Sequence, residues 1–229
     1  MFKTLTALWQ ACGVSPPKCI PRAEVGQILV YVLPLDRGSM KALWPFLSDD
    51  EKARAISYGR ELDGLRFAVS RALLRSVLGL YTGIHPGRLI LRYGPHGRPY
   101  LSQWQAKGID FNLARRDDCC VIGLALNRHI GIDLEPRRSA ALVESMLTML
   151  PAEDRAVIDS AQGLDRSRCL ITAWTKLEAR AKAIGIGLDE MAMYNDALEC
   201  QHFKLGSELL GCVASEDHNW QMKLIQWQA

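Results

Sequence analysis

The spacing of apolar and polar positions changes period several times along the chain, and each change marks an element. "GQILVYVL", Gly26 to Leu33, alternates and predicts a strand. Ser48 stands three residues ahead of Glu51, the spacing of a capping box, and opens a helix. From about Glu61 to Tyr81 the apolar residues Leu65, Ala68, Val69, Ala72, Leu73, Val77 and Leu80 recur at helical spacing and predict a second, longer helix with one apolar face. "RLILRYGPHGRPYL" then reads as two short strands joined by a Gly-Pro-His-Gly turn.

Three more strand candidates follow, "GIDFNLA", "CCVIGLAL" and "HIGIDLE", and after them helices near Ala140 to Leu150, Ala152 to Ser160 and Arg166 to Ile184. The last of these runs into Gly185 and Gly187, which can take positive φ and close it. Strand-like runs broken by Gly, Ser, Asp and Asn fill the C-terminal stretch. Helices and strands of antiparallel character are mixed without regular alternation, an α+β pattern. Internal repeats, low-complexity segments and linkers are not evident.

Composition narrows the setting. A chain of 229 residues, 48% hydrophobic and 23% charged, is that of an ordinary folded protein with one or two cores. Its longest apolar run, Cys119 to Leu126, is far shorter than the roughly 20 residues of a membrane-spanning helix, so no membrane association is expected. The start, "MFKTLTALWQACGVSPPK", is interrupted by Gln10 and reads as an N-terminal helix rather than a signal peptide. Seven cysteines without Cys-x-x-Cys spacing read as free thiols in a reducing cytoplasm. The five histidines are scattered and build no recognisable catalytic arrangement.

Charge changes the picture more. Between Lys52 and Arg98 nine basic residues (Lys52, Arg54, Arg60, Arg66, Arg71, Arg75, Arg88, Arg92 and Arg98) face only Glu61 and Asp63. Such a segment suits an anionic ligand or a set of solvated helix faces. Nucleic acid fits less well, because aromatics to stack bases are few.

The acidic residues offer a counterpart. Asp133 and Glu135 are two apart on a strand and leave the same face, while Ile132 and Leu134 point to the other. On the helix, Trp174, Glu178 and Lys182 are four apart and share a face. A surface Glu–Lys pair and a solvated Asp-x-Glu would explain each feature alone. Together, three carboxylates with no convincing His or Cys partners fit Mg²⁺, which prefers oxygen and completes its shell with water and phosphate.

These stretches, taken in order, carry a resemblance. "LSDDEKARA", "LRFAVSRALLRSVLG", "YGPHGRPYL", "IDFNLA", "GIDLE" and "WTKLEARAKAIGIGL" together resemble the 4′-phosphopantetheinyl transferases of the surfactin-synthetase-activating type, over roughly Ser48 to Leu188. The resemblance implies a pseudo-dimer of two α+β halves, about 1–127 and 128–229, with coenzyme A in the cleft between them. It implies that Asp133, Glu135 and Glu178 hold Mg²⁺, that Arg54, Arg66 and Arg98 bind coenzyme A phosphates, and that Lys182 reaches the pyrophosphate. Arg98 stands where the family has the lysine of Gly-Lys-Pro. The implied reaction is attack by a serine hydroxyl of an acyl or peptidyl carrier protein on the β-phosphorus of coenzyme A, releasing adenosine 3′,5′-bisphosphate. The serine proton goes either to Glu178 or to a water held by the metal. A monomer in the cytoplasm is expected.

The chain also departs from the family pattern. Where the family reads Phe-Asn-Leu-Ser-His, this chain reads "FNLAR", so Ala114 replaces a serine and Arg115 a histidine; Arg115 keeps a cation for a phosphate. The lysine usual before the glutamate is Leu177, which faces about 100° away from Glu178 and packs against either the core or the pantetheine arm. On that reading Leu177→Lys preserves or raises the transfer rate. Lys176 lies about 200° around the helix from Glu178 and cannot take the missing lysine's place. A degenerate relative that binds coenzyme A or a carrier protein without catalysis is the competing reading.

Overall fold

The computed structural model describes residues 21–35, 38, 40–137, 144, 147–193, 198–216 and 219–226. The expected N-terminal helix, and most of the helix expected over Ala140 to Leu150, lie outside them; Leu147–Met149 form a short 3-10 turn.

Strand β1 (Gln27–Pro34) shows why alternation is informative. Leu29, Tyr31 and Leu33 point into one core, while Ile28 and Val30 point into another on the opposite face of the same sheet. That sheet is completed by β4 (Ile109–Arg116), β5 (Cys119–Leu126) and β9 (Gln221–Gln226), in the order β4-β5-β1-β9. All its pairings are antiparallel except β1 with β9, which is parallel. A second sheet has the order β6-β8-β7, formed by β6 (Ile130–Pro136), β7 (Glu199–Leu205) and β8 (Leu209–Ser215). β2 (Leu91–Tyr93) and β3 (Pro99–Leu101) make the separate two-stranded ribbon read from the sequence.

Helices cover the outer faces. After the four-residue α1 (Met40–Leu43) come α2 (Asp49–Ile56) and the 22-residue α3 (Glu61–Thr82), which packs on the first sheet. A short α4 (Gln103–Ala106) follows β3. α5 (Ala152–Ser160) packs on the second 22-residue helix, α6 (Gly163–Ile184), which lies on the second sheet. Both long helices stop at a glycine in the left-handed region, Gly83 at φ +72° and Gly185 at φ +83°, where a side chain would be strained. The result is four layers, helix, sheet, sheet, helix, with Ile28, Val30, Val121, Ile130, Ile132, Leu134 and Val213 forming the core between the sheets. Each such side chain contributes about 1.5–3 kcal/mol on burial. This is the mixed α+β architecture expected. Among the described residues no helix is long and apolar enough to cross a membrane.

Two polar side chains of β4 tie the sheets together. Asp110 Oδ2 accepts the backbone N–H of Ile130 at 3.0 Å, and Asn112 Oδ1 accepts that of Ile132 at 3.2 Å. The edge of β6, which pairs with no further strand among the described residues, is thereby held by side chains.

The capping box at Ser48 and Glu51 forms as expected. Glu51 does more than cap. Its carboxylate accepts Arg75 Nε at 2.6 Å, both side chains being 2% exposed, and Arg75 Nη1 also donates to the carbonyls of Pro86 and Leu89. Arg75 therefore has its anion inside the fold and is not available to a ligand. Arg75→Met should cost about 3–5 kcal/mol in urea denaturation, because it strands a buried carboxylate, whereas Arg75→Met with Glu51→Leu should recover most of that loss.

Candidate functional site

The site forms where β6 meets α6. Gly131 makes the close contact: a Cβ there would lie 1.9 Å from the Ala179 carbonyl oxygen and 2.3 Å from the Ala183 nitrogen. With only hydrogen at that position the helix backbone settles directly on the strand. Asp133, two residues on, shares the face of Gly131 and meets Lys182: Nζ donates to Oδ1 at 2.6 Å, and the same ammonium lies 3.5 Å from Glu178 Oε2. Glu135, the next residue on that face, pairs with Arg116 Nη2 from the end of β4. The expected shared face of Asp133 and Glu135, and that of Glu178 and Lys182, are both realised, with Ile132 and Leu134 in the core between the sheets.

The electrostatics follow from this crowding. Burial pushes the Glu178 carboxyl above its ordinary pKa, and Asp133 adds to the effect while Lys182 opposes it. Burial likewise raises Glu135, helped by Asp133 and Glu178 and opposed by Arg116. For Lys182 burial works against the charge, but Asp133 and Glu178 outweigh it and raise its pKa. One oxygen, Asp133 Oδ2, is buried without a hydrogen-bond partner among the described residues. Among the described residues no three His, Cys, Asp or Glu side chains converge as a preformed metal site. The carboxylates are linked through Lys182 and Arg116 instead.

A cleft of about 280 Å³ opens beside this group, and Lys182 lines it. Its far wall is cationic and aromatic. Arg54, Arg71 and Arg115 lie 5.1, 5.4 and 5.5 Å from the Phe67 ring centroid, and Arg115 also covers Tyr58, whose hydroxyl it meets at 3.3 Å. Cation–π contacts of this kind hold the guanidiniums in place while leaving N–H groups able to bind an anion. Arg71 Nη1 and Arg115 Nη1 are buried without hydrogen-bond partners among the described residues. Ser70, His96, Asn112 and Ile186 complete much of the lining.

Not every expected residue stands free in this cleft. Arg98 lines it, yet its terminal nitrogens are bonded to Asp110 at 2.6 Å, to the Ile130 carbonyl at 3.0 Å and to the Ala183 carbonyl at 2.9 Å. It stitches the start of β6 to the end of α6. Arg66 is absent from the lining and pairs with Asp118 at 3.0 Å. Lys176 faces away from Glu178, as its angular offset requires, and pairs with Asp154 of α5 at 2.7 Å. Ala114 is buried in the core between the sheets.

Leu177 resolves one open alternative. It is 2% exposed and packs with Leu150, Ile158, Leu170, Trp174 and Leu210, so it belongs to the core and not to the cleft. This reverses the expectation for Leu177→Lys. That variant should lose roughly the 2–5 kcal/mol that truncating a core leucine costs, with burial of an ammonium on top, and its transfer rate should fall with its stability. A denaturation midpoint equal to that of the parent would contradict the packing.

The residues missed from the sequence are Tyr58, Phe67 and Arg71 in the cleft wall and Arg116 beside the carboxylates. A signal existed for some of them. Phe67 and Arg71 are four apart on a helix, and Arg116 shares the strand face of Asn112 and Ala114, the face turned toward β6.

Comparison with known proteins agrees with this geometry. Residues 129–227 match the family described as the 4′-phosphopantetheinyl transferase superfamily. The chain is 31% identical over 177 residues to the 4′-phosphopantetheinyl transferase HetI of Nostoc sp., an alignment spanning 75% of this chain and 74% of HetI. It is 29% identical over 207 residues to slr0495 of Synechocystis sp., spanning 83% and 84% of the two chains. With the carboxylates of β6 and α6 inside the matched region and a relative of this closeness spanning most of both sequences, the chain belongs to the 4′-phosphopantetheinyl transferase superfamily.

Proposed function

We propose that this 4′-phosphopantetheinyl transferase takes its arm from coenzyme A and delivers it to a serine of an acyl or peptidyl carrier protein, using the cleft between α3 and α6. The observation that carries this reading is a cleft lined by cations, one of which leads directly to a group of carboxylates. Three guanidiniums gathered around Phe67 stand on one wall, and on the other stands Lys182, which is paired behind the lining with Asp133 and Glu178. A polyanion fits between them.

In this reading the fold is a pseudo-dimer, with halves of about 1–127 and 128–229. Its support is the parallel build of the two: each has a short helix, a 22-residue helix ending at a left-handed glycine, and three antiparallel strands underneath. β9 crosses back to pair with β1 and fastens the halves together.

Arg54 and Arg115 bind coenzyme A phosphates from the cleft wall, and Arg71 lies beside them. Arg98 supports them by fixing α6, with its terminal nitrogens already bonded to protein. Arg66 takes part only by leaving Asp118. Asp133, Glu135 and Glu178 suit Mg²⁺ in donor chemistry: all are oxygen ligands, and Asp133 Oδ2 is unspent although buried. When bound there, the metal supplies neutralisation of charge on the pyrophosphate. Lys182 gives up part of its hold on Asp133 and Glu178 to meet the departing phosphate. Glu178 is the chain's own candidate to accept the serine proton. Free thiols such as Cys119 and Cys169 suit a reducing cytoplasm, where we place the protein as a monomer.

The test is incubation with coenzyme A, Mg²⁺ and a panel of apo carrier proteins, reading the mass of each carrier. At least one should gain the phosphopantetheine mass, and a chelator should prevent the gain. If no carrier is modified while coenzyme A still binds, the protein is a binding relative without catalysis.

A further inference from the structure

Arg116 is the cation beside the carboxylates that the proposed reaction does not use. It sits at the end of β4, on the strand face turned toward β6, and its guanidinium bonds Glu135 Oε2. Lys182 plays a comparable part for Asp133 and Glu178, but the two cations differ in position. Lys182 lines the cleft, so an anion arriving there can draw it away from the carboxylates. Arg116 does not line the cleft. Nothing bound in the cleft offers it a replacement partner, and Glu135 stays engaged unless something else displaces the guanidinium.

We infer that Arg116 is an internal competitor for the divalent-cation site: it engages the Glu135 carboxylate, and a metal must compete with its charge to bind there. The inference rests on the reading of Asp133, Glu135 and Glu178 as the metal ligands. Two physical facts support it. The guanidinium engages one of the two Glu135 oxygens, and its positive charge next to Asp133 and Glu178 opposes the approach of a second cation. Its side chain is also 36% exposed, so it can swing toward water once released, unlike the 2%-exposed Arg75. Arg116 thereby sets a threshold of metal concentration below which it and Lys182 remain the cations that the three carboxylates hold.

Mn²⁺ binding, followed by the electron paramagnetic resonance signal of the free ion and without coenzyme A or carrier, tests this directly. Arg116→Gln should bind Mn²⁺ about tenfold more tightly than the parent, a difference of about 1.4 kcal/mol. Arg116→Lys, which keeps the charge, should stay closer to the parent than Arg116→Gln does. Asp133→Asn serves as the control for the site. If Asp133→Asn loses Mn²⁺ binding while Arg116→Gln binds as the parent does or more weakly, Arg116 orients Glu135 instead of competing for it, and the inference is overturned with the metal assignment intact. If Asp133→Asn binds Mn²⁺ as the parent does, or neither the parent nor Arg116→Gln binds any, the carboxylate reading fails and the inference falls with it.

Discussion

Asp133→Asn should reduce transfer by more than the roughly 10–100-fold that loss of a supporting partner around a metal site costs, because the carboxylate is read as a ligand itself. Asp133 is 3% exposed; one oxygen accepts Lys182 at 2.6 Å and the other has no hydrogen-bond partner among the described residues. Asparagine has nearly the same volume, and its carbonyl oxygen can still accept from Lys182, which also keeps Glu178 at 3.5 Å. The fold should therefore lose less than the roughly 3–5 kcal/mol expected when a buried charge is left with no partner. Denaturation and the rate of carrier mass gain, measured on the same preparation at saturating coenzyme A and Mg²⁺, separate the two effects. A rate within tenfold of the parent would remove Asp133 from the ligand set. A collapse of stability would instead make the Asp133–Lys182 pair structural first.

Much of the site is visible in the sequence because its parts are local. Two-residue spacing places Asp133 and Glu135 on one face whatever β6 packs against, and four-residue spacing does the same for Glu178 and Lys182. The capping box and the glycine stops of α3 and α6 are equally local. What the sequence leaves hidden depends on which elements meet. Arg75 counts as one more cation in a basic run until α2 brings Glu51 against it from 24 residues away. Arg98 looks like a phosphate ligand until the ribbon carrying it reaches the carbonyls of Ile130 and Ala183. Leu177 is one helical step from Glu178, and only the packing of α5 and β8 shows which way that step turns. The parallel pairing of β9 with β1, across nearly the whole chain, has no local signal at all.

Gly131→Ala is the change that should couple stability and activity most tightly. The added methyl would stand 1.9 Å from the Ala179 carbonyl oxygen, 2.3 Å from the Ala183 nitrogen and 2.9 Å from the Ala183 Cα. All three are backbone atoms of α6, so no rotamer change relieves the contact, and the helix must lift from β6 toward ordinary van der Waals separation. Overpacking of this kind costs about 1–3 kcal/mol and occasionally more. The functional cost is larger. Lys182 is the residue next to Ala183, and Arg98 holds the Ala183 carbonyl at 2.9 Å, so lifting this turn draws the ammonium from Asp133 and loosens the stitch between α6 and β6. A displacement of about 1 Å at a reacting centre can cost 10²-fold in rate, and a loss of that order is expected here, in a variant still folded at room temperature. Truncating the neighbouring side chain in Gly131→Ala/Ala183→Gly should not restore it, since the clash is with the helix backbone. If Gly131→Ala transfers at the parental rate, the close seat of α6 on β6 is not what holds Lys182 against Asp133.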